Sequence, residues 1–235
     1  MQNMGVPTLP LFYCDRKLDR AIALHPDLVV LTLNAADLQQ GVGLEQASKR
    51  VDPHAVARRP TIALGLQNYI VMSRALLVAE HFRFSDRAVY LRTYLLYGDK
   101  ADYLRVPFTS RWQKRFSDLG VVVSDMAVRL KREHIAFLVM VAPSQAEATL
   151  LHTHPFPPHT DPFAFGNAVH ELASQAGAGY VDALAEFQRQ PGSEYLFYVA
   201  NGHINPAGQS LLSQALVRKC MDGTIPVFLP PRNGP

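Results

Sequence analysis

Three short runs of apolar residues interrupt a chain whose remaining apolar positions mostly follow helical spacing. Asp27 leads into Leu28-Val29-Val30-Leu31-Thr32-Leu33, a run with almost no polar alternation. Such a run predicts a strand buried on both faces, as in a parallel sheet covered by helices. Ile135-Ala136-Phe137-Leu138-Val139-Met140-Val141 repeats the pattern, and Tyr180-Val181-Asp182 makes a shorter third strand. A helix is predicted from Arg16 to Leu24, stopped at His25-Pro26 because proline disfavours helix in the residue before it. Further helices are predicted over Ile62 to Phe84, Arg111 to Arg132, Pro143-Ser144 through Leu151, Asp161 to Gln175, and Pro206 to Met221. Gln39 to Pro60 and the proline-rich His154 to Pro162 read as loops, and Gly177 to Gly179 stops the helix before the third strand. The alternation of helix and strand predicts one α/β domain over residues 1–225, a mostly parallel sheet with helices on both faces. Pro226 to Pro235 is a proline-rich tail.

Composition narrows the classes of function. The chain has 235 residues, 48% of them apolar and 18% charged, enough for a sizeable core and incompatible with global disorder. The net charge of +3 comes from interspersed signs, without the basic stripe of a nucleic-acid binder. Tyr90, Tyr94 and Tyr97, among Arg83, Arg87 and Arg92, fit an amphipathic helix whose tyrosines pack and whose arginines face water. The longest apolar run, Ile135 to Pro143, is too short to span a membrane. Met1 to Gly5 lacks the basic and apolar regions of a signal peptide, so the sequence as written implies the compartment of synthesis. Cys14 and Cys220 are expected as two separate thiols.

The segment Tyr198-Val199-Ala200-Asn201-Gly202-His203-Ile204-Asn205-Pro206-Ala207-Gly208 carries the most chemistry. It places His203 on a loop just before the last helix, where it can reach across strand ends as a general base. A histidine that merely caps that helix is the plainer alternative.

With Leu196-Phe197-Tyr198 ahead of it, this segment resembles the C-terminal block of the SGNH (GDSL-type) hydrolase family. Pro26-Asp27-Leu28-Val29-Val30-Leu31 running to Asn34-Ala35-Ala36-Asp37 is similar to that family's third block. Val139 to Ser144 resembles the core strand that follows it, and Asp161 to Gly166 with Tyr180-Val181-Asp182 resembles the later helix and strand. Asn3-Met4-Gly5-Val6-Pro7 resembles the start of the second block. The resemblance implies a three-layer, flavodoxin-like α/β fold and a serine esterase acting on acylated sugars or lipids. The implied partner is a small-molecule or carbohydrate ester, and no cofactor is implied.

The site positions depart from the family pattern. The family serine lies in Gly-Asp-Ser after the first strand, ahead of the second block, and no Gly-Asp-Ser occurs in these 235 residues. The resemblance therefore implies that the first strand and its serine are missing and are encoded upstream of Met1, where a signal for a periplasmic or secreted location would also lie. Asn201 stands where the family has the acid partner of the histidine, unless it serves simply as the turn residue of Asn201-Gly202. An amide can orient an imidazole but cannot stabilise the imidazolium, and the comparable change in serine proteases costs about 10⁴ in turnover. Ala36 replaces the family's oxyanion asparagine, with Asn34 two residues away, and Thr8 stands where a backbone N–H normally completes the oxyanion hole. Each such donor is worth about 3 kcal/mol. A catalytically inactive binding or scaffolding relative is the second reading.

Two other features carry less. His152, His154, His159 and His170 suggest a metal site only by composition, since they lie in or near a proline-rich loop without cysteine or a helical His pair; no metal is expected. Asp182 could serve as a surrogate acid for His203, although capping of the next helix is the expected role.

Overall fold

The computed structural model describes residues 12–39, 78, 82–199 and 202–225, with side chains from residue 17 onward. The first apolar-periodic segment forms α1, Phe12–Ile22, which begins four residues before the point its spacing suggests and ends ahead of His25-Pro26. The first apolar run is β1, Leu28–Leu33, followed at once by α2, Ala35–Gln39. Then come α3 (Arg87–Leu95), two 3-10 turns at Gly98–Lys100 and Asp102–Leu104, and the long α4 (Ser110–Arg132). Strand β2 (Ala136–Val141) leads into α5 (Gln145–Leu151) and α6 (Ala164–Gln175). Strand β3 (Gly179–Val181), α7 (Ala183–Arg189), a 3-10 turn at Ser193–Leu196 and α8 (Pro206–Met221) complete the order.

The three strands form one parallel sheet in the order β1-β2-β3, in register from Leu28 opposite Ala136 to Leu33 opposite Val141. Gly179 to Val181 pair with Leu138 to Met140 on the other side. Alternation along β2 divides the core in two, because successive side chains leave a strand on opposite faces. Phe137, Val139 and Val141 join Leu31 and Leu33 in the larger cluster, against α4 and α6. Leu138 and Met140 join Val181, Ala215 and Ile225 on the opposite face. Helices therefore cover the sheet on both sides, as the long apolar runs predict. The runs differ in one respect: β2 is buried along nearly its whole length, whereas Leu28 to Val30 are only half-buried and Thr32 is exposed. Among the described residues β1 has a strand partner on one side only.

Helix α4 shows why the sequence folds as it does. Trp112, Phe116, Leu119, Val123, Met126 and Leu130 recur every three to four residues and all face the core. Thr109 caps its start by accepting the Trp112 N–H, and Arg129, Lys131 and Arg132 complement the dipole at its end. Arg115 is the exception on the buried stripe. It forms two bonds to Asp99 (2.9 and 2.8 Å), donates to the Gln39 carbonyl (2.8 Å) and lies over the Trp112 ring. These bonds hold the Asp99 carboxyl below the usual carboxylate range, with Arg111 adding to the effect.

In α3, Tyr90 and Tyr94 pack against the larger core cluster, as the amphipathic reading requires, whereas Tyr97 lies past the end of the helix and is exposed. Arg87 departs from it. Its side chain stays half-exposed, but its guanidinium reaches a buried carboxylate, Glu194. The proline-rich tail and the Ile62 to Phe84 helix, apart from Val78 and Phe82 to Phe84, fall outside the described residues, as does the side chain of Cys14. Cys220 is a free thiol, raised above its ordinary value by burial and by Asp222.

Candidate functional site at the carboxyl end of the sheet

Each strand ends in a polar turn that caps the next helix. After β1, Asn34 and Asp37 cap each other: Asn34 N–H donates to Asp37 Oδ2 (2.7 Å) and Asp37 N–H donates to Asn34 Oδ1 (3.2 Å). Burial raises the Asp37 carboxyl, partly offset by the Asn34 N–H. After β2, Ser144 and Glu147 repeat the device at the start of α5, with Ser144 N–H on Glu147 Oε2 (2.7 Å) and Glu147 N–H on Ser144 Oγ (3.1 Å). After β3, Asp182 accepts the Ala185 N–H (3.1 Å). The expected capping role of Asp182 is the one its geometry displays.

The capping pair at α5 includes a deeply buried carboxyl. Glu147 is 2% exposed, and burial pushes its carboxyl up from the ordinary 4.5 to about 7 despite two bonds from Ser144. The Ser144 hydroxyl is 2.6 Å from the Tyr103 hydroxyl, which in turn accepts from Tyr94 (3.3 Å). Tyr103 is fully buried, and burial beside Glu147 drives its phenol well above the ordinary range.

His203 sits on the loop that meets this edge. The Tyr198 N–H donates to the His203 carbonyl (2.8 Å), and the Gly202 N–H returns to the Tyr198 carbonyl (2.8 Å). Phe197 and Ile204 form the adjoining antiparallel bridge and pack inward beside Leu184 and Phe187. Tyr198 and His203 are the next pair outward and are exposed. Gly202 takes a left-handed φ of 68°, which only glycine adopts at no steric cost. A Cβ there would stand 3.4 Å from Gln145 Oε1. Gln145 is the first residue of α5, is 6% exposed, and its Oε1 has no hydrogen-bond partner among the described residues. The histidine loop therefore lies beside the start of α5, the helix that follows the central strand, and the carboxyl ends of strands are where open α/β sheets bind ligands. Asn205 fixes the far side of the loop, capping α8 through Gly208 N–H (3.1 Å) and donating to the Tyr195 carbonyl (2.7 Å).

A second polar cluster, not signalled by any local motif, lies just before this loop. Ser193 Oγ is 2.9 Å from His152 Nε2, and Glu194 Oε2 is 3.2 Å from the same nitrogen. The three residue types are those of a hydrolytic triad, but the geometry is not. A triad acid binds the ring nitrogen that faces away from the serine, whereas here both groups meet Nε2. Ser193 is also completely buried, beyond reach of a substrate. Arg87 completes the cluster, pairing with Glu194 Oε1 and lying 4.2 Å from the centre of the Tyr195 ring.

The remaining site expectations are distributed as follows. Asn34 lies at the carboxyl end of β1, half-buried, with Oδ1 engaged in capping, and Ala36 is exposed on α2. Thr8 and Asn201 lie outside the described residues. The histidines disperse: His154 stacks on Phe156, His170 stacks on Tyr180, and His152 enters the Glu194 cluster. Among the described residues no group of three or more His, Cys, Asp and Glu side chains is placed to hold a metal ion. No helix among them is long and apolar enough to cross a membrane.

A cavity of about 560 Å³ opens at the opposite, amino-terminal edge of the sheet, lined in part by Asp27, Lys131, His134 and Lys219. Lys131 and Lys219 lie in or beside the last turns of α4 and α8, where cations complement the dipole, so a structural role explains them. Comparison with protein-family models, with curated proteins and with solved structures gives no match to this chain.

Proposed function

We propose that this chain is an SGNH-type acyl hydrolase domain that uses His203 as general base in cleaving ester bonds of acylated sugars or lipids. The observation that carries the reading is the His203 loop lying beside the start of the helix that follows the central parallel strand, with Gly202 against Gln145. In the proposed reaction His203 takes the proton of a serine hydroxyl as that oxygen attacks the acyl carbon. It then returns the proton to the departing alcohol, and water cleaves the acyl-enzyme by the same route. The serine of such a step is not supplied in Gly-Asp-Ser form by residues 1–235. Under this reading it belongs to sequence encoded ahead of Met1. Labelling of the natural gene product with a fluorophosphonate, located by peptide mass spectrometry, tests this directly. An adduct on a serine ahead of Met1 supports the reading, and a protein that takes up no reagent refutes it.

A second reading, a non-catalytic relative that binds rather than cleaves, is favoured by the positions around the histidine. Ala36 offers no side-chain donor, Asp182 caps α7, and Asn201 stands in the place of an acid. Unlabelled protein that still binds acylated saccharide would favour it.

A further inference from the structure

We propose that Glu194 is a positioning residue for His203: its buried carboxylate, drawn between Arg87 and His152, anchors the histidine loop to the body of the domain. The importance of the anchor rests on the reading of His203 as the functional histidine. Its existence rests on the geometry alone.

The connection runs through a continuous backbone. Glu194 belongs to the 3-10 turn Ser193–Leu196, and that turn supports the loop at two points. The Leu196 carbonyl accepts the Asn205 N–H (2.9 Å), and the Tyr195 carbonyl accepts Asn205 Nδ2 (2.7 Å). One residue further on, Tyr198 exchanges backbone bonds with Gly202 and His203. The position of His203 is thus set by where the turn sits.

What fixes the turn is charge together with packing. Phe197 packs on Phe187, an apolar contact that excludes water without defining orientation. Glu194 is buried, and two cationic or proton-donating groups from separate elements converge on it: Arg87 from the first residue of α3 and His152 from the C-cap of α5. The only other polar group of its own turn in the cluster is the Ser193 hydroxyl, itself on His152. Neither carboxylate oxygen forms an aligned hydrogen bond, so the attraction is mainly coulombic, and it is strong because the carboxylate is shielded from water. Helix α5 therefore meets the loop assembly at both ends, Gln145 against Gly202 at its start and His152 against Glu194 at its end.

The charge can be removed without changing the volume, which makes the inference testable. Glu194→Gln keeps the side-chain shape and abolishes the attraction to both partners. Native-state amide exchange and imidazole NMR on the full chain read the consequence without any substrate, so a catalytically silent protein tests the anchor equally well. Glu194→Gln is expected to speed exchange at Tyr198, Gly202 and Asn205 at least about tenfold while leaving Val139 and Met140 in β2 unchanged. The His203 ring signals should move, and Glu194→Asp, which keeps the charge on a shorter stem, should restore part of the protection. Arg87→Met, at a half-exposed position, is the companion variant should Glu194→Gln not fold, and it should loosen the same three amides. Unchanged exchange and His203 signals in whichever variant folds would overturn the proposal. So would a rise spread evenly through β2, which would mean general destabilisation.

Discussion

Replacing Glu147 by glutamine should stabilise the protein at neutral and alkaline pH and leave it nearly unchanged in acid. The carboxyl titrates at about 7 in the fold because it is buried, against an ordinary 4.5. Below pH 4.5 it is protonated in both states and contributes no pH dependence. Between 4.5 and 7 the folded protein holds a proton that the unfolded chain has released, so stability falls as pH rises. Above 7 the fold carries a buried carboxylate, and the accumulated loss is about 3 kcal/mol. Glutamine is neutral throughout and of the same shape, and its Oε1 can accept the Ser144 N–H that Glu147 Oε2 accepts at 2.7 Å. The capping box therefore survives while the buried charge does not. Urea unfolding followed by Trp112, the single tryptophan and fully buried, gives the stability of each protein from pH 4.5 to 8.5. Subtracting one curve from the other cancels every other titrating group. The difference should grow from near zero to about 3 kcal/mol in favour of the variant. A difference independent of pH, or one favouring the natural residue at pH 8, would refute the burial argument.

Three further substitutions probe the frame around the site. A methyl at Gly208 would stand 2.6 Å from the Leu196 carbonyl oxygen and from Ile204 Cγ2, so Gly208→Ala should cost about 2 kcal/mol in chemical unfolding and loosen the histidine loop. Asn205→Ala removes the α8 cap and the bond to the Tyr195 carbonyl, which should cost about 1–2 kcal/mol by the same measurement. Arg115→Met leaves the Gln39 carbonyl without its donor and Asp99 with Arg111 alone, with an expected loss of about 1–2 kcal/mol and a rise in the Asp99 carboxyl toward its ordinary value, measurable by NMR titration.

The parts of the fold legible in the sequence were those set by local pattern. Uninterrupted apolar runs located β1 and β2, the three-to-four spacing of Trp112 to Leu130 located α4, and Asn205-Pro206 marked the start of α8. Ser144 was legible as a helix start, but the burial of its partner Glu147 was not, because that depends on Tyr103 and Tyr94 arriving from another part of the chain. The Glu194 cluster was hidden for the same reason. Arg87, His152 and Glu194 are far apart in sequence, and each alone resembles an ordinary surface charge. Arg87 in particular sits at the start of an amphipathic helix, where pattern assigns it to water. The histidine loop was the reverse case: a compact motif placed His203 before α8, and the folded chain adds the contact of Gly202 with Gln145 at the start of α5.

The central claim is that His203 serves ester hydrolysis at the carboxyl end of the sheet. Hydrolysis of p-nitrophenyl acetate by the natural gene product, measured beside His203→Ala of equal folded content, tests it most directly. Turnover by the unaltered protein is expected to fall by at least about a hundredfold in the variant, as for loss of a general base. Equal rates in the two proteins would contradict it.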